Sequence, residues 1–236
     1  MSGRSPHSLT SIPGFDPRQV PIEQLGDPPP PVHLDALGAD ALRLRFQAPP
    51  DWQPEFTSDP FRFRQGEPRA ASVLVPIVLR DLAPTVLLTE RTAHLRGHAG
   101  QVAFPGGGRD PDDASAIATA LRETAEEIGV LSGSIEVIGQ LPEYLTGTGY
   151  RITPVVGLVE PGLTLRLDPF EVAEAFEVPL AFLMDPRHHE RRRVRLESGE
   201  RVFYSMPYRS SETGREYFIW GATAAMLRNL YRFLSA

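Results

Sequence analysis

From Ala70 onward the apolar positions fall into short runs, with helical stripes at two places. Residues 71–79 (ASVLVPIVL) are almost continuously apolar and predict a buried strand, with Pro76 pointing to an edge or a bulge. Residues 85–90 (TVLLTE) predict a second strand, and the turn at Asp81–Pro84 makes the pair a hairpin. Residues 134–141 and 152–160 also read as strands, separated by a loop rich in Gly and Thr. Helical period appears at Ile117, Leu121, Thr124 and Ile128, with Gly129 as the stop, and again over 221–234 through Met226, Leu227, Leu230 and Leu234. Residues 171–177 (EVAEAFE) fit either a last helical turn or a strand, and 179–185 (PLAFLMD) predict a short helix. Residues 191–196 and 201–206 predict a hairpin around Ser198–Gly199, and 217–220 a short strand. Strands interleaved with two main helices predict an α/β fold with a mixed sheet between helices.

The first part of the chain does not fit that pattern. Residues 1–69 hold 13 of the 24 prolines, including Pro28–Pro31. Proline fixes φ and lacks an amide donor, which rules out regular structure throughout. The expected organisation is a proline-rich, partly ordered arm over 1–69, with one short helix within 34–46, and a domain over 70–236.

Composition narrows the function. A hydrophobic content of 41% supports a core, and a net charge of −6 argues against a general nucleic-acid or anionic-membrane binder. With no cysteine, disulfides, thiol nucleophiles and cysteine metal sites are excluded. No signal core opens the sequence, and no run approaches the ~18 apolar residues that span a bilayer. The expectation is a cytoplasmic protein acting on a small molecule, without nucleic-acid or membrane partners, as monomer or homodimer.

The candidate chemistry lies in Phe104–Val130, where a glycine-rich turn runs into the first helix. Glu123 and Glu127 are four apart and share a face, and Glu126 sits beside Glu127. Like charges at that spacing cost a helix a few tenths of a kcal/mol per pair. A solvated acidic face is the plain alternative. A hard divalent cation held by carboxylates and substrate phosphates is the functional one.

The residues from Gly108 to Val130 resemble the Nudix box, through Gly108, Arg122, Glu123, Glu126, Glu127, Gly129 and Val130. Ala114 replaces the pattern's first Glu, and Thr124 stands at an apolar position. Upstream, Leu87-Leu88-Thr89-x-Arg91, Arg96, Gly100 and Phe104–Gly107 resemble the signature of coenzyme A pyrophosphatases, with Thr92 at a position where Ser or Ala is usual. Ala at the first Glu position is also seen in that subfamily. The resemblance covers roughly residues 70–235. It implies a Nudix-type α/β/α sandwich and metal-dependent hydrolysis of coenzyme A to 4′-phosphopantetheine and adenosine 3′,5′-bisphosphate. The alternatives are a Nudix diphosphatase for ADP-ribose or NADH and a non-catalytic nucleotide sensor.

The resemblance also implies roles. Glu123 and Glu127 would ligate Mg²⁺ or Mn²⁺, with Glu126 direct or through water, and a carbonyl of Gly106–Gly107 would complete the coordination. Arg122 would hold the glutamates. A further acid is expected at Glu174 or Glu171, with Glu143 as a third candidate. Arg91 and Arg96 would bind phosphate through forked contacts. His94 and His98 read as loop or substrate contacts rather than zinc ligands. His188–His189 with Arg191–Arg193 reads as a solvated basic turn, and Tyr217 and Trp220 as core.

Overall fold

A computed structural model describes residues 15–59, 66–94, 100–196 and 199–236. The apolar run after Ala70 forms β1 (Arg69–Val78), and residues 85–91 form β2 (Thr85–Arg91) antiparallel to it, as the hairpin pattern predicts. Short β3 (Val102–Ala103) pairs with β2, and β4 (Gly106–Gly108) lies antiparallel to β1. Helix α2 (Ala116–Ile128) follows; α1 (Ala39–Gln47) precedes the sheet in the arm. Then come β5 (Ile135–Gln140), β6 (Tyr144–Leu145) and β7 (Tyr150–Val159). The ambiguous stretch after Glu171 is a strand, β8 (Val172–Pro179), antiparallel to β2, and the predicted short helix is α3 (Leu180–Leu183). The eight strands form one mixed sheet with path β3-β2-β1-β7-β5, in which β1 and β7 run parallel.

Pro76 does not mark an edge. It lies in the middle of the sheet opposite Gly157, in the interval between the β4 pairing at Ala71–Val73 and the β2 pairing at Ile77–Val78. There its missing N–H interrupts neither antiparallel ladder.

Alternation along β1 explains the layers. Leu74 and Val78 join Ala120 and Ile128 of α2 on one face. Val73, Val75 and Ile77 point to the other face, toward α4 (Gly221–Ser235) and a separate three-stranded sheet of β9 (Glu190–Leu196), β10 (Gly199–Arg209) and β11 (Glu216–Trp220). The result is the α/β/α arrangement with a mixed central sheet, thickened on one side by a second sheet. Burying each Leu or Ile of these faces stabilises by about 1.5–3 kcal/mol.

The arm packs on the α4 side. Its expected helix is split by Gly38 into a 3-10 turn (Leu34–Leu37) and α1. Leu42 is fully buried, and Phe46 meets Phe233 at 4.6 Å between ring centres. Farther on, Asn229 of α4 clamps the arm backbone. Its Oδ1 accepts from the N–H of Glu55 (2.9 Å) and Phe56 (3.0 Å), and its Nδ2 donates to Phe56 O (2.6 Å).

The basic run at His188–Arg193 is not a solvated turn. His189 and Arg192 are both buried. Arg192 donates to Val20 O (2.6 Å) and Ser205 Oγ (2.7 Å), so it ties the arm to the second sheet. His189 Nε2 lies 2.8 Å from Leu183 O and Nδ1 3.0 Å from Arg228, a pattern that fits the neutral ring with its proton on Nε2. Burial pushes its pKa down to about 4.

Candidate active site

Helix α2 is fixed at both ends. Ser115 Oγ accepts from Ala118 N–H (3.1 Å), and Gly129 turns left-handed at φ 76° while donating to Ala125 O. The apolar position occupied by Thr124 is fully buried. Its hydroxyl donates back to Ala120 O (2.6 Å), so the polar atom is satisfied within the helix and the methyl packs. Asp113 does not serve the helix N-terminus. It accepts from Arg122 Nε and Nη2 (both 3.0 Å) and from Asp110 N–H (2.9 Å).

The three helix carboxylates lie at three depths. Glu127 is 4% exposed, on the edge of the apolar stripe beside Ile128. Glu123 is half-buried, and Glu126 faces solvent. Strand β4 passes directly over them. Gly106 N–H donates to Glu127 Oε2 (3.0 Å), and a Cβ on Gly107 would stand 2.5 Å from Glu123 Cδ. Gly106 itself has φ 149°, and a Cβ there would stand 2.5 Å from Val73 Cα. A side chain at Gly106 would strike the backbone of β1, whereas one at Gly107 would push the Glu123 carboxylate aside.

Arginines frame the group. Arg122 donates to Glu126 (2.8 Å) and Gly108 O (3.1 Å) and lies 3.0 Å from Glu123, with Asp113 holding its other edge. The Arg122 hydrogen bond keeps the Asp113 carboxyl well below the ordinary carboxylate range. Arg91, at the end of β2, lies 3.6 Å from Glu127 and 3.9 Å from Glu171. Burial pushes the Glu127 acid up to about 7; the Gly106 N–H and Arg91 pull it back, and Glu171 and Glu123 add to the rise. Glu123 is also raised, by burial first and by repulsion from Glu126 and Glu171.

Of the two candidates for the further acid, Glu171 joins this group and Glu174 does not. Glu174 shares a strand face with Phe176 and Val178, away from α2. There it accepts from Tyr217 OH (2.7 Å) and pairs with Arg215. Glu143 is exposed and lies 3.8 Å from Arg151, outside the group. Arg96 and His98 lie outside the described residues. His94 packs near Phe170, with ring centres 4.9 Å apart. Tyr217 is core, stacked on Phe176 at 3.6 Å, whereas Trp220 is half-buried and lines a cleft.

The group suits a hard divalent cation in its chemistry. The donors it offers are carboxylate oxygens, with no sulfur or imidazole nitrogen among them. Two of the carboxylates are desolvated, and a bound cation offsets that cost. Among the described residues no three acidic side chains stand ready as a cluster; Arg122 draws Glu126 outward and Arg91 faces Glu127. Glu123 and Glu127 are the carboxylates that could hold a cation here, and Glu126 could join them only by leaving Arg122.

A cleft of about 640 Å³ opens beside β4. Arg91, Gly107, Glu123 and Glu171 line it, as do Phe56, Tyr144, Arg201, Phe203 and Trp220. That space exceeds what a diphosphate alone fills.

The NUDIX domain model matches residues 68–198. The chain is 43% identical over 196 residues to the uncharacterised Nudix hydrolase NudL of Shigella flexneri, covering 83% of this chain and 94% of that one. The same identity and coverage hold for NudL of Escherichia coli K12. Among solved structures, the Nudix hydrolase RenU of M. smegmatis aligns with TM-score 0.42 and 24% identity over 50% of this chain and 74% of that one. The matched span contains the sheet, the glycine strand and the carboxylate helix that carry this site, and the chain belongs to the Nudix hydrolase family.

Proposed function

We propose that this enzyme hydrolyses the diphosphate of coenzyme A, or of a derivative, to 4′-phosphopantetheine and adenosine 3′,5′-bisphosphate with Mg²⁺ or Mn²⁺. The observation that carries the reading is the position of Arg91. This arginine of the upstream signature lies 3.6 Å from Glu127 of the helix and 3.9 Å from Glu171, and it lines the cleft. The two parts of the sequence pattern thus meet at one place.

A cation held by Glu123 and Glu127 would supply charge neutralisation at the diphosphate oxygens. Arg91 adds a guanidinium to the same oxygens, where negative charge gathers during attack. Glu127 and Glu123 hold their orientation through Gly106 N–H and Arg122, and Asp113 fixes Arg122 in turn. Water adds at one phosphorus, the bridging P–O bond breaks, and the proton from water passes to a carboxylate. Glu171 is the residue we assign to that proton, because it lies beside Arg91 and stays partly open to solvent.

Product identification tests the reading. Incubation of coenzyme A with enzyme and Mg²⁺ is expected to yield the two named products by mass spectrometry. Turnover of ADP-ribose far above that of coenzyme A and its acyl esters would refute the substrate assignment.

A further inference from the structure

Arg215 lies outside the matched span of 68–198, in the turn between β10 and β11, yet it meets the end of the sheet that carries Arg91. Strand β2 alternates. Val86 and Leu88 enter the core on the α4 side and Leu87 the core on the α2 side, so Glu90 points away from α2. On β8, Phe176 and Val178 set the same side for Glu174, and the register places Glu90 and Glu174 opposite each other. Two carboxylates directly opposite on one face of a ladder repel. Arg215 answers both. Its Nη2 donates to each oxygen of Glu90 (both 2.8 Å), and its Nη1 pairs with Glu174. Tyr217 OH donates to the other Glu174 oxygen (2.7 Å), and the guanidinium lies 5.1 Å from the centre of the Tyr217 ring.

The ladder changes register just past this pair. Arg91 lies opposite Val172, so Ala173 of β8 has no partner on β2. This extra residue is a β-bulge, which re-aims the side chains that follow it. Simple alternation would place Val172 with Glu174 and Phe176 on the α4 side; Val172 instead packs in the core on the α2 side. Beyond the bulge the two chains stay joined, since Thr92 N–H donates to Glu171 O (3.0 Å) and Thr92 Oγ to Phe170 O (2.8 Å). Arg91 and Glu171, 3.9 Å apart, are the first charged side chains on either strand past it.

We propose that Arg215 is a positioning residue for the hydrolysis: by bridging Glu90 and Glu174 it fixes the bulge at Ala173, and the bulge holds Arg91 and Glu171 together beside Glu127. This rests on the roles proposed above for Arg91 and Glu171. Arg215 is about half exposed, where an ion pair adds little to global stability. Its effect is local, and a displacement of reacting groups by about 1 Å costs up to ~100-fold in rate.

Steady-state kinetics in Mg²⁺ test it, with whichever of coenzyme A, ADP-ribose and NADH the wild type turns over fastest. Arg215→Ala is expected to lower kcat/KM by about tenfold or more while unfolding at nearly the urea concentration of wild type. In an Arg91→Ala background the same change is expected to cost less than about twofold, because the group it positions is gone. Glu90→Gln added to Arg215→Ala is expected to recover most of the loss, since it removes the repulsion and its amide donates to Glu174. An Arg215→Ala enzyme within about twofold of wild type would overturn the proposal. So would a loss equally large in the Arg91→Ala background, no recovery from Glu90→Gln, or a loss that urea melts account for by the fraction unfolded. Arg91→Ala and Glu171→Gln enzymes that both turn over like wild type would overturn the roles on which it rests, and the proposal with them.

Discussion

Glu127→Gln separates what the carboxylate does for the fold from what it does for the reaction. The side chain is 4% exposed, and burial holds its acid at about 7 against an ordinary value near 4.5. Each pH unit of such a rise corresponds to about 1.4 kcal/mol, so the ionised form costs the metal-free fold about 3 kcal/mol. Gln keeps the volume and an oxygen for the Gly106 N–H, and it carries no charge. The folded-state pKa is raised, so the penalty is absent below the unfolded value and grows as pH rises toward and through about 7. At about pH 8 in EDTA, the variant should melt above wild type by roughly 5–10 °C, and at about pH 4 the gap should close. Added Mg²⁺ should raise the melting point of wild type and leave the variant unmoved. Hydrolysis should fall by roughly 100-fold or more. Differential scanning calorimetry with and without Mg²⁺, beside a turnover assay, reads all of this. A variant that melts below wild type at about pH 8 in EDTA, or one that turns over within about tenfold of it, would refute the reasoning.

Two further expectations follow from neighbouring features. Gly107→Ala pushes against the mobile end of Glu123, whereas Gly106→Ala pushes against the backbone of β1. The first should lose most activity at nearly unchanged stability, and the second should also lower the unfolding free energy by about 1–3 kcal/mol; the opposite ranking in urea melts would contradict the geometry. His189 works with the other sign. Its folded pKa is depressed to about 4, so its contribution is complete above its unfolded value near 6.5 and is lost as pH falls through the folded one. Wild type should lose up to about 3 kcal/mol more than His189→Gln between roughly pH 6.5 and 4, and parallel stability curves for the two proteins would dismiss the effect.

Helix α2 was legible because its information is local. Period and the Gly129 stop fall within one window, and the spacing of Glu123, Glu126 and Glu127 places them on one helix. Their depths were not legible, because these depend on β4 crossing above and on Arg91 reaching in from β2. The role of Asp113 was not legible, because nothing in the spacing reveals that Arg122 folds back nine positions to meet it. Glu171 and Glu174 were indistinguishable until the structure set Glu174 within β8 opposite Glu90 and Glu171 just before that strand, near Arg91. The buried members of the 188–193 run escaped notice for a similar reason. Their partners, Arg228 and the arm, are remote in sequence. Pro76 misled because its tolerance depends on where two separate ladders end along β1.

The Asn229 clamp on the arm has a consequence for how the cleft comes into being. The residues it joins, Phe56 and Asn229, are 173 positions apart. Contacts at such separation carry a large loop-closure cost until the intervening chain is already compact. During synthesis the glycine strand, the carboxylate helix and their shared core are all made before α4 emerges. The residues that gather the carboxylates are thus all synthesised before the residue that clamps the arm, so the arm can take its place at Asn229 only after α4 is made.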